Sequence, residues 1–317
     1  MMNGFLVIDK PAGMTSHDVV SRVRKLLGER SVGHLGTLDP MATGVLPLVV
    51  GRMTRLAQFY TAAEKAYEGE IRLGFATDTY DAAGDAVGET RAVSVSRDEV
   101  ETAAGKFRGT IEQMPPPFSA KKIAGVPAYK LARKKKDVEL KPVQVQVSEL
   151  AVLGVEGDRV RFRAAVSSGT YLRSIAHELG QELGCGGHLA SLRRTRVAEF
   201  TLADARTLEQ VAQVAEAAQR IAGNARDDED TRGNRVDDSG RELDSLFVHP
   251  RRVLPAMPSV TANEEHVARI STGQSVNLPE LSKAPLVKVF RGQAEIIAIA
   301  SRVAGTLFHP KVVLLER

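Results

Sequence analysis

Asp39 stands alone among carboxylates in the stretch His34-Leu-Gly-Thr-Leu-Asp39-Pro-Met-Ala-Thr-Gly44. Local rules make it the N-cap of a helix with Pro40 in the first helical position. Gly33 and Gly36 let the backbone approach another molecule closely, and loops of that kind carry reactive side chains. A single carboxylate suits nucleophilic attack or proton abstraction better than hydrolysis by paired acids. His34, five residues upstream, is either a satisfied turn histidine or part of the same site.

The second chemical stretch is Ser167-Ser-Gly-Thr-Tyr171-Leu-Arg173-Ser-Ile-Ala-His-Glu-Leu-Gly180, where Tyr171 and Arg173 leave a glycine-bounded loop at a helix start. By pattern alone the tyrosine is a core residue and the arginine a solvated one. An arginine facing a buried aspartate, however, would keep that carboxylate ionised and oriented, and the tyrosine would wall off a bound base.

Other chemistries lack their parts. Asp78-Thr-Tyr-Asp81-Ala-Ala-Gly-Asp85 is acid-rich, but Tyr80, Ala82 and Ala83 stand where a calcium loop needs two acids and a glycine. No Gly-rich loop ends in Lys-Ser or Lys-Thr, and no His-Glu-x-x-His occurs. Cys185 is the single cysteine, which excludes an internal disulfide and a multi-cysteine zinc site. Neither a metal nor a cofactor is expected.

Lys121, Lys122, Lys130, Arg133, Lys134, Lys135, Lys136 and Lys141 crowd one segment with Tyr129, and Arg193, Arg194 and Arg196 form a second cluster. Such runs are ordinarily solvated faces, but beside an RNA site a basic arm with an aromatic suits a phosphate backbone. The chain carries 43 Lys and Arg against 39 Asp and Glu, a net +4. Arg226 to Asp244 holds eight acids and four bases, so the rest of the chain has 39 bases against 31 acids, or +8. That basic body favours a polyanionic partner. No apolar run reaches the roughly 18 residues of a membrane span, and the N-terminus lacks a secretory pattern. The cytoplasm is the expected compartment, and a monomer the expected state.

The elements that must position these residues are legible in outline. Gly4-Phe-Leu-Val-Ile-Asp9 reads as a buried strand, then Thr15 or Ser16 caps a helix bearing Val19, Val20, Val23, Leu26 and Leu27 that stops at Gly28. After the Asp39 turn come the apolar run Val45–Val50, a helix from about Thr54 to Lys65, and a strand over Ala66–Gly74. Ser96 caps a helix reaching toward Gly105. Lys141–Val147 and Arg159–Val166 alternate as strands, and Tyr171 opens a helix to about Leu183. Short strand-like runs, Leu286–Phe290 and Ala294–Ala300, follow a polar, charged stretch from Asn224 to Asp244 that reads as a disordered linker or insert. The expectation is an α+β architecture. Its domains are 1–223 with a basic insertion at about 114–141, an acidic 224–245, and a small β-barrel-like 246–317.

Five motifs follow one another in a specific order. They are Asp9-Lys10-Pro11-Ala-Gly13-Met-Thr15-Ser16, Gly33-His34-Leu-Gly36-Thr-Leu-Asp39-Pro40-Met-Ala42-Thr43-Gly44-Val-Leu46, Lys65-Ala-Tyr67, Ser168-Gly169-Thr170-Tyr171-Leu-Arg173 and His188-Leu-Ala-Ser-Leu192-Arg193-Arg194-Thr195. Together they resemble the TruB family of tRNA pseudouridine-55 synthases over most of residues 1 to about 200, and the tail from about Leu246 resembles, more loosely, a PUA-type RNA-binding domain.

The resemblance implies a pseudouridine synthase catalytic fold with a mixed, largely antiparallel sheet, acting on the T arm of tRNA without cofactor or obligatory protein partner. It implies that Asp39 is the catalytic carboxylate and Arg173 its salt-bridge partner. Tyr67 is then the aromatic on the extruded base, Tyr171 lies close to it, Leu192 closes the pocket, and His34 fills the gap left in the RNA. Whether Asp39 attacks C1′ or removes the 2′ proton stays open. A guide-RNA-dependent relative of the dyskerin type shares the Asp motif and PUA tail. A third reading is an RNA-binding or folding factor in which Asp39 is structural.

Overall fold

The described residues of a computed structural model of the chain are 2–116, 122–123, 126–127, 141–224 and 240–315. The chain opens with β1 (Gly4–Lys10), α1 (Ser16–Leu27), β2 (Val32–His34) and β3 (Thr43–Val50), then a 3-10 helix, Gly51–Tyr60. Next come β4 (Lys65–Leu73), the short pair β5 (Ala76–Thr77) and β6 (Ala86–Val87), α2 (Arg97–Gly105) and β7 (Gly109–Gln113). A second short pair, β8 (Lys122–Ile123) and β9 (Val126–Pro127), precedes β10 (Val143–Glu156) and β11 (Arg159–Val166). α3 (Leu172–Glu182), β12 (Gly187–Val197), β13 (Phe200–Thr201) and α4 (Leu208–Asn224) follow.

Nine strands form one sheet in the order β1-β3-β12-β4-β11-β10-β7, with β2 added to β3 and β13 to β12. β3 and β12 run parallel, and the other pairs are antiparallel. The mixed, largely antiparallel sheet of an α+β fold is therefore what forms. On β1 the two faces go to different cores: Leu6 and Ile8 pack with the helices, Phe5 and Val7 with Tyr60, Val197 and Phe200. That is why this strand is apolar throughout, as strands covered on both faces are. β11 instead alternates. Val160, Phe162 and Ala164 enter the helix-side core, while Arg159, Arg161 and Arg163 pair with Glu70, Glu156 and Glu149 on the outer face.

The helix ends follow local chemistry. Thr15 and Asp18 form a capping box at the start of α1, and Gly28, at φ 63°, ends it. Ser96 and Glu99 do the same for α2. The helix expected over Thr54–Lys65 is instead the 3-10 helix ending at Tyr60. Tyr60 is held there by tertiary contacts, its hydroxyl donating to Glu199 Oε1 at 2.6 Å and its ring packing on Phe5 and Phe200. Lys65 is meanwhile drawn into β4 opposite Val166 and Val197. The strand expected over Lys141–Val147 runs on to Glu156, because β10 pairs with β7 at one end and, through two bulges, with β11 along the rest.

Residues 240–244 are helical. Beyond them lie β14 (Ser259–Ala262), α5 (Glu264–Ser271), β15 (Val276–Asn277), β16 (Leu286–Arg291), β17 (Glu295–Ala304) and β18 (Leu307–Val313). These strands make a five-stranded sheet, β14-β16-β17-β18-β15, the small C-terminal β-rich module that was expected. It shares a core with the large sheet, since Phe290, Ile296, Ile299, Val312 and Leu314 join Phe5, Val7 and Phe200. Among the described residues no helix is long and apolar enough to cross a membrane. Most of the basic segment at 114–141, and residues 225–239 of the acidic stretch, lie outside the described residues.

Candidate active site

Asp39 lies in the loop between β2 and β3. The loop leaves the sheet after Leu35, whose N–H still donates to Pro47 O at 2.9 Å. No helix begins at Pro40. Ala42 N–H donates to Asp39 O at 3.1 Å, closing one turn that is not continued. The helix-cap expectation fails because Thr43 is already the first residue of β3, pinned beside Arg193 of β12. Gly44, at φ 98°, returns the chain to the sheet; a Cβ there would sit 2.2 Å from Arg194 O, so no other residue fits without moving the strand.

The loop is held from three sides. Ser16 Oγ accepts from Leu38 N–H at 2.8 Å. Lys10 Nζ donates to Met14 O at 2.6 Å and to Pro40 O at 3.2 Å, and Gly13 N–H donates to Pro40 O at 2.8 Å. Arg194 is wholly buried and donates from Nε to Val45 O at 2.7 Å, from Nη1 to Thr37 O at 3.2 Å and from Nη2 to Gly36 O at 3.0 Å. One guanidinium thus grips both ends of the turn that presents Asp39. The basic cluster expected at Arg193, Arg194 and Arg196 is accordingly not a free surface: Arg193 makes a two-pronged bond to Asp9, and Arg196 pairs with Glu64.

Arg173, on the first turn of α3, closes on the carboxylate. Its Nε is 2.9 Å from Asp39 Oδ2, and its Nη2 donates to Oδ1 at 3.3 Å. Its Nη1 donates to Thr79 O at 3.1 Å and lies 3.4 Å from Asp81 Oδ2. Arg173 and Asp81 side chains are only 6% and 7% exposed, whereas Asp39 keeps 36% of its side-chain surface open to the adjoining cavity. Protein nevertheless surrounds Asp39 on its other sides. Burial raises its carboxyl pKa above the ordinary range, Arg173 opposes that rise, and the nearby Asp81 adds to it.

The cavity is about 500 Å³ and is lined by Asp39 and Arg173 together with Tyr67, Tyr171 and Leu192. Five of the six expected site residues therefore meet at one place. Tyr67 is buried on β4, and burial raises its hydroxyl pKa, so the phenol stays neutral. His34, the sixth, stands on β2 opposite Leu48 and is not among the lining residues. Its Nδ1 is buried without a hydrogen-bond partner among the described residues, and burial, with Arg194 and His17 adding to it, lowers its pKa.

Sequence reasoning missed Asp81, Lys65 and the buried role of Arg194. Asp81 comes from the acid-rich turn that fails as a calcium loop: its Oδ1 accepts from Thr79 Oγ1 at 2.7 Å and from Ala83 N–H at 3.0 Å, leaving Oδ2 toward Arg173. The density of short polar residues there was the available signal. Lys65 lines the cavity, its amine lowered to about 8 by burial and then by Arg194.

Comparison with known proteins shows the family of the chain. The model of the TruB family pseudouridylate synthase N-terminal domain matches residues 24–172, and that of the tRNA pseudouridylate synthase B C-terminal domain matches residues 173–230. A protein of Solibacter usitatus named tRNA pseudouridine synthase B is 46% identical over 99% of this chain and 100% of its own length. Proteins of the same name from Stutzerimonas stutzeri and Bacillus anthracis are 38% and 37% identical, over 94% and 98% of this chain and 91% and 94% of theirs. Among solved structures, a chain of a Cbf5-Nop10-Gar1 complex shares the fold with a TM-score of 0.69 at 24% identity, over 99% of this chain and 85% of that one. With both family models in sequence and relatives matching end to end, the chain belongs to the TruB family of pseudouridylate synthases.

Proposed function

We propose that the protein converts uridine to pseudouridine in the T loop of tRNA, at position 55, with Asp39 as the catalytic carboxylate. The observation that carries this reading is one carboxylate, gripped by the buried Arg173, opening into a cavity walled by Tyr67, Tyr171 and Leu192. The reaction breaks N1–C1′, turns the uracil and joins C5 to C1′, with the C5 proton lost to the surroundings and N1 taking one up in its place. Atoms and electrons balance within the substrate, so no second substrate is required. Asp39 must be ionised to attack C1′ or to take the 2′ proton, and Arg173 favours that form. A stacked base hides its glycosidic bond. Extruding it costs a few kcal/mol, which stacking against Tyr67 and Tyr171 offsets. The unpartnered Nδ1 of His34, outside the cavity but at the end of β2 from which the Asp39 loop departs, supports its role as the side chain that enters the vacated place in the RNA.

The domains fit this work as a catalytic body over 1–223, a basic RNA-clamping segment at about 114–141, an acidic 224–245 and an RNA-binding module over 246–317. The protein acts as a monomer in the cytoplasm, with no partner protein. The test is to incubate the purified protein with an unmodified tRNA transcript and map pseudouridine. Conversion at the T-loop uridine without other proteins is expected. Conversion only with a guide RNA and accessory proteins would favour the dyskerin-type reading, and Asp39→Asn protein that still converts would leave Asp39 structural.

A further inference from the structure

β7 is the edge strand of the large sheet and ends at Gln113. Gln113 is fully buried, and its amide faces the backbone of Tyr171. Its Nε2 donates to Tyr171 O at 3.0 Å, and its Oε1 accepts from Tyr171 N–H at 2.8 Å. Because the two partners are opposite in kind, they fix which end of the amide is oxygen. One residue on, Met114 O accepts from Ser174 Oγ at 2.8 Å. Two consecutive residues at the end of the edge strand thus hold Tyr171 and Ser174, two positions before and one after Arg173. α3 has no side-chain N-cap bond of its own, so its entry is set from across the sheet.

We infer that Gln113 is a positioning residue for the reaction: by bonding both backbone groups of Tyr171 it fixes the first turn of α3, and with it the aim of Arg173 at Asp39. The inference rests on the reading of the cavity given above. Gln113 is not among the residues lining the cavity, so it acts through Tyr171 and Arg173. The margin is narrow. With Arg173 Nη2 already at 3.3 Å from Asp39 Oδ1, a displacement of about 1 Å removes that bond, and misplacements of this size cost about a hundredfold in rate. The same edge strand leads into the basic segment, so the chain that would touch RNA is joined by three hydrogen bonds to the helix start that aims the arginine.

The test is Gln113→Met, which keeps the length of the side chain, adds no charge and removes both bonds. The single-turnover rate of pseudouridine formation should fall ten- to a hundredfold, while the Kd for tRNA stays within about threefold. The acid limb of the rate should also move to higher pH, because Arg173 no longer opposes the effect of burial on Asp39. An unchanged rate per folded molecule with an unchanged acid limb would overturn the inference. Should Gln113→Met not fold, Ser174→Ala removes the companion bond and must shift the limb in the same direction; an unmoved limb refutes the idea. If the wild-type protein itself converts no tRNA, the functional reading fails separately. The positioning claim is then judged on the Asp39 carboxyl resonance, whose titration midpoint must rise in Gln113→Met.

Discussion

Around the cavity Arg173, Asp81, Arg194, Lys10 and Lys65 are buried and Asp39 is enclosed except where it opens to the cavity, whereas in the C-terminal sheet Lys288 is the one buried charge among the described residues, its ammonium donating to Arg251 O and Val253 O. Both regions are well packed, but among the described residues the cavity gathers five buried charges where the C-terminal sheet has one. Taking a charge out of water costs several kcal/mol even after relaxation, so such groups are costly to keep unless they are well paired or have work to do. Comparing the two regions separates residues that hold the fold from residues that hold a reacting group.

The largest effect expected is that of Asp39→Asn. The amide keeps the size of the side chain but offers neither a nucleophile nor a base, so pseudouridine formation should fall at least about 10³-fold while tRNA affinity measured by filter binding is retained. Arg173→Lys comes next, with a loss of about 10²-fold in single-turnover rate, since an ammonium cannot span both oxygens of Asp39 and reach Asp81 as well. Retained activity in either variant would remove the reason for the cluster of buried charge and, with it, the contrast between the two regions.

Asp81→Asn sharpens the contrast through pH. The carboxyl of Asp39 is raised by burial and further by Asp81, so its acid limb lies above the ordinary carboxylate value of about 3.9. The reactive form is the carboxylate, and activity is lost as pH falls through that raised pKa. Taking away the charge of Asp81 should move the limb to lower pH while the plateau rate falls about tenfold, as Arg173 loses its second anchor. A limb that moves upward would mean that Asp81 acts on Asp39 mainly by steadying Arg173.

Part of the candidate site was legible because Asp39, Tyr171 and Arg173 sit in short glycine-bounded stretches whose residue types suggest a chemistry, whereas Tyr67 and Leu192 were placed only by the resemblance of their motifs to the family. Asp81 was not legible, because its partner lies 92 residues away and nothing in its own turn points to Arg173. Arg194 read as surface charge. Its neighbours, Arg193 and Arg196, are basic too, and only the parallel pairing of β3 with β12 turns it beneath the Asp39 loop. In the fold, strands and capped helices followed local signals, while the segment after β3 became a shorter 3-10 helix because contacts of Tyr60 and the pairing of Lys65 overrode local propensity.

The smallest effect comes from a matched pair of lysines. Lys10 and Lys288 are both buried, and both spend their ammonium on backbone carbonyls: Lys10 on Pro11, Met14 and Pro40, Lys288 on Arg251 and Val253. Burial lowers the pKa of each, that of Lys10 to about 8. Replacing either with methionine relieves the buried charge and leaves carbonyls without a donor, so the stability changes should be alike, on the order of 1–3 kcal/mol in melting experiments. Their effects on turnover should differ. Lys10 holds the carbonyl of the residue after Asp39, and Lys10→Met should lower kcat about tenfold. Lys288 holds Arg251 and Val253, which lead into the C-terminal sheet, and Lys288→Met should leave kcat at saturating tRNA within twofold. Equal losses of kcat would show that the module transmits strain to the cavity through the core shared by Phe290 and Phe5, and that buried charge does not mark off the reacting region.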